Sequence, residues 1–105
     1  MLEAKNLPVG LKNKKGRNTQ LRKLLKSDGI LVAPGAFDCI SGRIVQNSGF
    51  DALYLTGAGI SMSLMGAPDL GMLSYGEIIS HIRRIADAVE IPIIADADTG
   101  YGGPL

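Results

Sequence analysis

The sequence has little of what marks several large classes of protein. Its 105 residues include one cysteine and only 5% aromatic residues. A single cysteine cannot form an internal disulfide, which excludes a disulfide scaffold and agrees with a reducing compartment. No apolar run approaches the roughly 18 residues that a membrane span needs, and residues 1–18 contain no apolar core of a signal peptide. We therefore expect a cytoplasmic protein with no membrane partner.

An excess of charge of one sign is also missing, since the formal net charge at pH 7 is +1. This balance gives no reason to expect a nucleic-acid partner. Residues 1–26 nevertheless hold eight cations against the single carboxylate of Glu3, and the rest of the chain is acidic. Because the basic segment has no aromatic residues to stack on bases, we interpret residues 1–18 as a flexible, solvated leader.

Two phosphate-binding motifs are absent as well. No Gly-x-Gly-x-x-Gly stretch follows a strand and opens a helix, and no Gly-Lys-Ser/Thr loop occurs, which excludes the common dinucleotide and P-loop sites. What the chain does contain is 46% apolar and 20% charged residues. That mixture is typical of one globular domain, which we place at residues 19–105.

Helical and strand patterns alternate through this domain. Helices are predicted at 19–28, 39–48 and 74–89, with Asp38 as an N-cap and a Ser-x-x-Glu capping box from Ser74 to Glu77. Strands are predicted at 30–33, 52–56 and 92–95, and each is apolar throughout, which is typical of strands buried on both faces of a parallel sheet. Three such units cannot close a barrel of about 250 residues, so we interpret the domain as the amino-terminal part of a larger one.

Each predicted strand ends in turn residues, at the edge of a parallel α/β sheet where ligands bind. Asp96 and Asp98 lie two positions apart, so in an extended segment their side chains point the same way. The two carboxylates can converge on one hard cation, or each can cap a turn in the Gly-rich segment that follows. The local pattern leaves both interpretations open.

Other polar residues near these strand ends have ordinary structural roles as their default. Asp69 suits a Gly/Pro-rich turn, Tyr54 suits core packing, and residues 57–59 (Gly-Ala-Gly) offer backbone N–H groups that could bind an anion. His81 lies within a predicted helix and is interpreted as solvated or interfacial. Cys39, at a helix start, is interpreted as a packing residue.

Four segments together resemble one known family. They are 33–38 (APGAFD), 52–59 (ALYLTGAG), 68–71 (PDLG) and 96–102 (DADTGYG). In this order they are similar to the amino-terminal part of the isocitrate lyase/phosphoenolpyruvate mutase superfamily. The resemblance implies a (β/α)₈ TIM-type barrel, of which this chain supplies about three β/α units and a leading helix.

The resemblance also implies a site. Asp96 and Asp98 resemble the family's Mg²⁺ or Mn²⁺ carboxylates, and Asp69 resembles an acid that holds metal-bound water. Tyr54 and the segment Thr56, Gly57 and Ala58 resemble the strand end that holds the substrate's carboxylate and oxygen. Many members have Ser-Gly-Gly where this chain has Thr56-Gly57-Ala58, so the identity of the substrate does not carry over.

The implied activity is metal-dependent cleavage of a carbon–carbon bond in a 2-hydroxy or 2-oxo carboxylic acid, such as a methylisocitrate or an alkylmalate. Carbon–phosphorus chemistry of the mutase type is the alternative, and a non-catalytic fragment is a third interpretation of these 105 residues alone. The cysteine loop of the family's lyases, Lys-Lys-Cys-Gly-His, does not occur in this sequence. We expect it to lie beyond Leu105, so no catalytic acid is assigned. Family members also suggest a homo-oligomer.

Overall fold

A computed structural model describes residues 16–68 and 74–97 as helices and short strands in alternation. In chain order the elements are α1 (Arg17–Lys26), β1 (Gly35–Ala36), α2 (Cys39–Asn47), β2 (Leu53–Leu55), α3 (Gly57–Met65), α4 (Tyr75–Ala88) and β3 (Ile93–Ala95). The strands form one parallel sheet in the order β1-β2-β3. This arrangement confirms the predicted α/β class and its parallel sheet.

The first strand lies later in the chain than the sequence predicts. Residues 30–33 are not a strand, and Ile30 is 94% exposed. β1 begins at Gly35, which pairs with Tyr54 of β2. Carried backwards, that register sets residues 30–32 opposite 49–51, the turn after α2, where Gly49 has a φ of +92°. The prediction was wrong because an apolar run forms a strand only where a neighbouring strand provides partners for its backbone hydrogen bonds.

The core lies on one face of the sheet, between β2 and the helices. Leu53 and Leu55 of β2 are fully buried and pack with Val45 of α2 and with Ile78 and Ile85 of α4. The side chain between the two leucines belongs to the opposite face and is 36% exposed. In the described part of the chain, β2 therefore alternates between faces, whereas the sequence predicted burial on both.

Capping side chains fix where α2 and α4 begin. The Asp38 carboxylate accepts the Ser41 N–H at 2.7 Å, and the Ser41 hydroxyl oxygen accepts the Asp38 N–H at 3.1 Å. Ser74 and Glu77 form the same reciprocal box at the start of α4. Both predicted caps are confirmed, and each satisfies amide groups that the helix leaves without a partner.

Helix α1 covers Arg17–Lys26, two residues earlier than predicted at each end. The Ser27 hydroxyl donates to the Leu24 carbonyl at 2.6 Å and ends the helix before Gly29. At the other end, Arg17 Nη2 donates to the carbonyl oxygens of Ala86, at 2.8 Å, and Val89. Those carbonyls lie at the carboxyl end of α4, where a cation also interacts favourably with the partial negative charge of the helix dipole. Arg17 therefore ties α1 to α4.

Helix α3 has no counterpart among the predicted elements. Its first turn contains Gly57 and Gly59, residues with low helix propensity, and most of its outward residues are apolar, so no amphipathic stripe marks it. The signals that could have found it are the N-cap Thr56 and the terminal Gly66, which has a φ of +62°.

None of the helices in residues 16–68 and 74–97 has the length and apolar composition that a membrane span requires.

Candidate functional site

Two predicted site residues lie side by side at the carboxyl edge of the sheet. Leu55 of β2 pairs with Ala95 of β3, so Thr56 and Asp96 follow at neighbouring positions. The Asp96 N–H donates to the Leu55 carbonyl at 3.1 Å, which extends the ladder to this point. Because side chains alternate along a strand, both residues belong to the face opposite the buried leucines. Adjacent strands are about 4.8 Å apart, so the two backbones are close.

Tyr54 lies on this same face, one step earlier along β2. It is 36% exposed and lies outside the helix-covered core. Its register partner on β3 is Ile94. The open face of the sheet thus carries an aromatic side chain beneath the polar edge formed by Thr56 and Asp96.

The residues after Thr56 form the first turn of α3. The Thr56 hydroxyl oxygen accepts the Gly59 N–H at 3.2 Å, as an N-cap does. The amides of Gly57 and Ala58 precede the first intrahelical hydrogen bond, so they point out of the helix end as donors. The predicted Gly-Ala-Gly turn is therefore a helix N-terminus, an arrangement that favours negative charge nearby.

Gly59 is the tightest point of this turn. A methyl group built on it would lie 2.5 Å from Thr56 Cγ2 and 3.1 Å from Phe37 Cβ. Phe37 follows β1 and Thr56 follows β2, so the side chains after the ends of these two strands both lie against Gly59. Beside them is a largely apolar cavity of about 310 Å³, lined by Phe37, Gly59, Met62 and Ser63.

Only part of the predicted metal site falls within the described residues. Asp96 is half-buried at the strand end, whereas Asp69 and Asp98 lie outside the described residues. Among residues 16–68 and 74–97, no three His, Cys, Asp or Glu side chains form a group that could hold a metal ion. The Asp96 carboxylate is a hard oxygen ligand of the kind that Mg²⁺ and Mn²⁺ prefer, and it supplies one of the three acids of the predicted metal site.

No catalytic acid is assigned within the described part of the chain. The Lys-Lys-Cys-Gly-His loop that the family resemblance implies does not occur in the sequence. The single cysteine of the sequence, Cys39, is partly buried at the start of α2 and packs against the core, as predicted. The expected position of the cysteine loop therefore stays a prediction.

The remaining candidates have roles in the structure around the edge. Hydrogen bonds from the Ser41 backbone and side chain lower the pKa of Asp38, in keeping with its cap. His81 contacts the Phe37 carbonyl, a link that no sequence pattern indicated. Asp38, Cys39 and His81 also line a second cavity of about 340 Å³.

Comparisons with known proteins agree on one family. Residues 21–105 match the family described as phosphoenolpyruvate phosphomutase. The chain is 43% identical over 86 residues to 2,3-dimethylmalate lyase of Eubacterium barkeri, covering 82% of this chain and 30% of that enzyme. It is 44% identical over 88 residues to the chloroplastic carboxyvinyl-carboxyphosphonate phosphorylmutase of Arabidopsis thaliana, covering 83% and 26%.

Solved structures give the same result. A 2,3-dimethylmalate lyase described as a PEP mutase/isocitrate lyase superfamily member matches with a TM-score of 0.74 and 45% identity, covering 81% of this chain and 30% of that one. Oxaloacetate acetylhydrolase in complex with its product oxalate matches with a TM-score of 0.74 and 42% identity. This match covers 81% of this chain and 30% of that one. Phosphonopyruvate hydrolase in complex with oxalate and Mg²⁺ matches with a TM-score of 0.76 and 34% identity. This match covers 82% of this chain and 30% of that one.

The matched relatives are much longer than this chain, which spans about 30% of their length. Its three parallel strands correspond to the amino-terminal part of their TIM-type barrels. The matches in sequence and in structure each cover more than four-fifths of the chain. The chain therefore belongs to the isocitrate lyase/phosphoenolpyruvate mutase superfamily.

Proposed function

We propose that this chain supplies the amino-terminal part of a metal-dependent lyase active site, which cleaves a carbon–carbon bond in a 2-hydroxy or 2-oxo carboxylic acid. The observation that carries the proposal is the position of Thr56 beside Asp96 at the carboxyl edge of the parallel sheet. Two relatives support the substrate class, because one is named for dimethylmalate and another is bound to oxalate.

The residues of β2 and α3 would bind the carboxylic acid. The Thr56 hydroxyl already accepts the Gly59 N–H, so its own hydrogen can be donated to a substrate oxygen. The amides of Gly57 and Ala58, at the helix N-terminus, would donate to the substrate carboxylate. Tyr54 lies on the same face and would contact the acid from the floor of the site.

Asp96, with Asp98 and Asp69 as further candidates, would hold Mg²⁺ or Mn²⁺. A bound divalent cation supplies Lewis-acid stabilisation of negative charge on a substrate oxygen. Phosphonopyruvate hydrolase, which matches at 34% identity, binds Mg²⁺ together with oxalate. The Asp96 carboxylate contributes the negative charge and the hard oxygen ligands that such an ion requires.

Chemistry at a carbon–phosphorus bond is the second candidate. Its support is the 44% identity to carboxyvinyl-carboxyphosphonate phosphorylmutase and the match to the phosphomutase family. The described residues of the binding edge would serve both reactions, since each substrate presents anionic oxygens to amides and a hydroxyl. We also propose that the 105 residues alone are inactive, because three strands supply only one side of a barrel site.

The function is tested with the purified intact protein. It is incubated with Mg²⁺ and alkylmalates, methylisocitrate-like acids, oxaloacetate or phosphonopyruvate, while release of pyruvate, glyoxylate, oxalate or phosphate is followed. Release of a 2-oxo acid from a hydroxy acid supports the lyase, whereas phosphate release or rearrangement of a phosphonate favours the mutase branch. An intact protein that turns over none of them contradicts both assignments.

The metal role is tested by calorimetry with Mg²⁺. We expect Asp96→Ala to lose Mg²⁺ binding with its fold unchanged by circular dichroism. The matched control is Asp51→Ala, because Asp51 is an exposed aspartate in the turn before β2, at the opposite edge of the sheet. Unaltered Mg²⁺ affinity in Asp96→Ala would remove Asp96 from the site.

A further inference from the structure

A hydrogen bond from α4 reaches the turn that follows β1. His81 Nε2 lies 2.6 Å from the Phe37 carbonyl oxygen, although the two residues are 44 positions apart. A carbonyl oxygen can only accept, so Nε2 must carry the hydrogen. The neutral Nε2–H tautomer and the imidazolium ion both satisfy this requirement, so the hydrogen bond does not depend on the protonation state of the ring.

The same peptide is held from its other side by α2. The Ser41 hydroxyl oxygen accepts the Phe37 N–H at 3.0 Å and the Asp38 N–H at 3.1 Å. Ser41 is itself fixed by the carboxylate of the N-cap residue. The backbone of Phe37 is therefore held at both its N–H and its C=O, by two different helices.

Phe37 carries this constraint to the candidate site. The Cβ position that a side chain at Gly59 would occupy lies 3.1 Å from Phe37 Cβ and 2.5 Å from Thr56 Cγ2. Phe37 and Thr56 therefore both lie against Gly59, although the Phe37 side chain is 40% exposed, and a shift of the Phe37 backbone toward Gly59 would press on the first turn of α3. That turn carries the amides and the hydroxyl to which the proposed function assigns substrate binding.

We propose that His81 is a positioning residue for this site. It acts through Phe37 and holds Thr56 and the first turn of α3 at the carboxyl end of β2, without contacting the substrate itself. The hydrogen bond to Phe37 and the contacts at Gly59 support this placement, and only its importance for an acid substrate rests on the proposed function.

The first test compares backbone hydrogen exchange in variants of the intact protein. His81→Leu removes the donor, His81→Gln retains an N–H group that can reach the carbonyl, and Arg83→Leu adds the same leucine at an exposed position of α4. We expect exchange in segments 36–41 and 56–60 to become at least about threefold faster in His81→Leu, the size expected for one lost hydrogen bond. It should be unchanged in Arg83→Leu and largely restored in His81→Gln.

Two results would overturn the placement. One is unchanged exchange at 56–60 in His81→Leu, and the other is an equal change in Arg83→Leu. If His81→Leu does not fold, nitrogen NMR of the wild-type imidazole still decides. The structure requires the Nε2–H tautomer in the neutral ring, with an unprotonated Nδ1, and the Nδ1–H tautomer would contradict it.

The second test concerns function and uses the acid that the intact protein turns over. A positioning role predicts that His81→Leu raises the KM for this acid at least about tenfold, while Arg83→Leu leaves it unchanged and His81→Gln recovers most of the loss. Faster exchange at 56–60 with an unchanged KM would overturn the positioning role. If the wild-type protein shows no turnover, the proposed function fails, and the exchange and NMR results still decide the placement.

Discussion

Gly42 of α2 packs directly against Ile85 of α4. A methyl group built on Gly42 would lie 3.3 Å from Ile85 Cγ2 and 3.4 Å from Val89 Cγ1, and both of these neighbours are fully buried. The absence of a side chain at this position allows the two helices to approach each other over the sheet. Crowding and helix propensity oppose each other here, which makes the residue a sensitive test of the packing.

Gly42→Ala should destabilise the protein slightly. Alanine gains about 1 kcal/mol of helix propensity over glycine, whereas overpacking of a core costs about 1–3 kcal/mol. We expect a net loss of about 1 kcal/mol in urea unfolding. Gly76→Ala is the control in α4, because its nearest neighbour would be 4.0 Å away, and it should be neutral or stabilising. A more stable Gly42→Ala protein would show that the helices separate easily.

Thr56 should tolerate serine better than valine. Serine keeps the hydroxyl that caps α3 at Gly59, whereas valine keeps the methyl group, replaces the hydroxyl with a second methyl and loses the cap. Loss of an N-cap costs about 1 kcal/mol, so Thr56→Val should show this loss in chemical unfolding and Thr56→Ser much less. If the hydroxyl also binds the substrate, Thr56→Val should lower kcat/KM for the acid at least about tenfold. Equal behaviour of the two variants would contradict the cap.

Arg17 should contribute more to stability than the other arginine of α1. Its guanidinium donates to the Ala86 and Val89 carbonyls, and burial lowers its pKa, while Asp87 and Glu90 act in the opposite direction. Hydrogen bonds from charged donors contribute about 1.5–3 kcal/mol, so Arg17→Ala should lose about 2 kcal/mol in thermal or urea unfolding. Arg22→Ala, at an exposed position of the same helix, should lose less than about 0.5 kcal/mol.

Asp38 should make stability depend on pH in the acid range. Hydrogen bonds from Ser41 lower the pKa of Asp38 in the folded protein. The ionised carboxylate therefore stabilises the folded protein at pH values above the ordinary pKa of aspartate. This contribution is lost as the pH falls through the lowered pKa of Asp38 in the folded protein. At neutral pH, Asp38→Ala should cost about 1 kcal/mol, and this cost should shrink on acidification.

Asp38→Asn is the matched control for this pH dependence, since asparagine caps helices without titrating. The stability difference between Asp38→Asn and Asp38→Ala should stay constant with pH, whereas that between wild type and Asp38→Ala should fall. The measurement is urea unfolding at a series of pH values from neutral to about 3. If the stability difference between the wild type and Asp38→Ala stayed constant over these pH values, that result would contradict the cap assigned to the Asp38 carboxylate.

The sequence predicted well those features that depend on neighbouring residues along the chain. The caps at Asp38 and Ser74 are examples, because each cap and its partner are three residues apart. The positions of β2 and β3 also agree within one or two residues. The four motifs in order predicted the superfamily, because four motifs in register are far more specific than any one of them.

Features set by distant contacts could not be predicted in this way. β1 begins at Gly35 because Tyr54 supplies its ladder partner, and no local pattern marks that pairing. α3 was missed because glycines in its first turn serve the close approach of Phe37 and Thr56 at the expense of helix propensity. The link from His81 to Phe37 spans 44 positions, so only the folded chain reveals it.

The tie between α1 and α4 bears on where this domain should be cut. Similarity to the phosphomutase family begins at residue 21, so a truncation chosen by homology would remove Arg17 while leaving every matched residue in place. The carbonyl oxygens of Ala86 and Val89 would then lose the hydrogen bonds from the Arg17 guanidinium. Helix α1 therefore begins four residues before the matched region, and expression clones should start before Gly16.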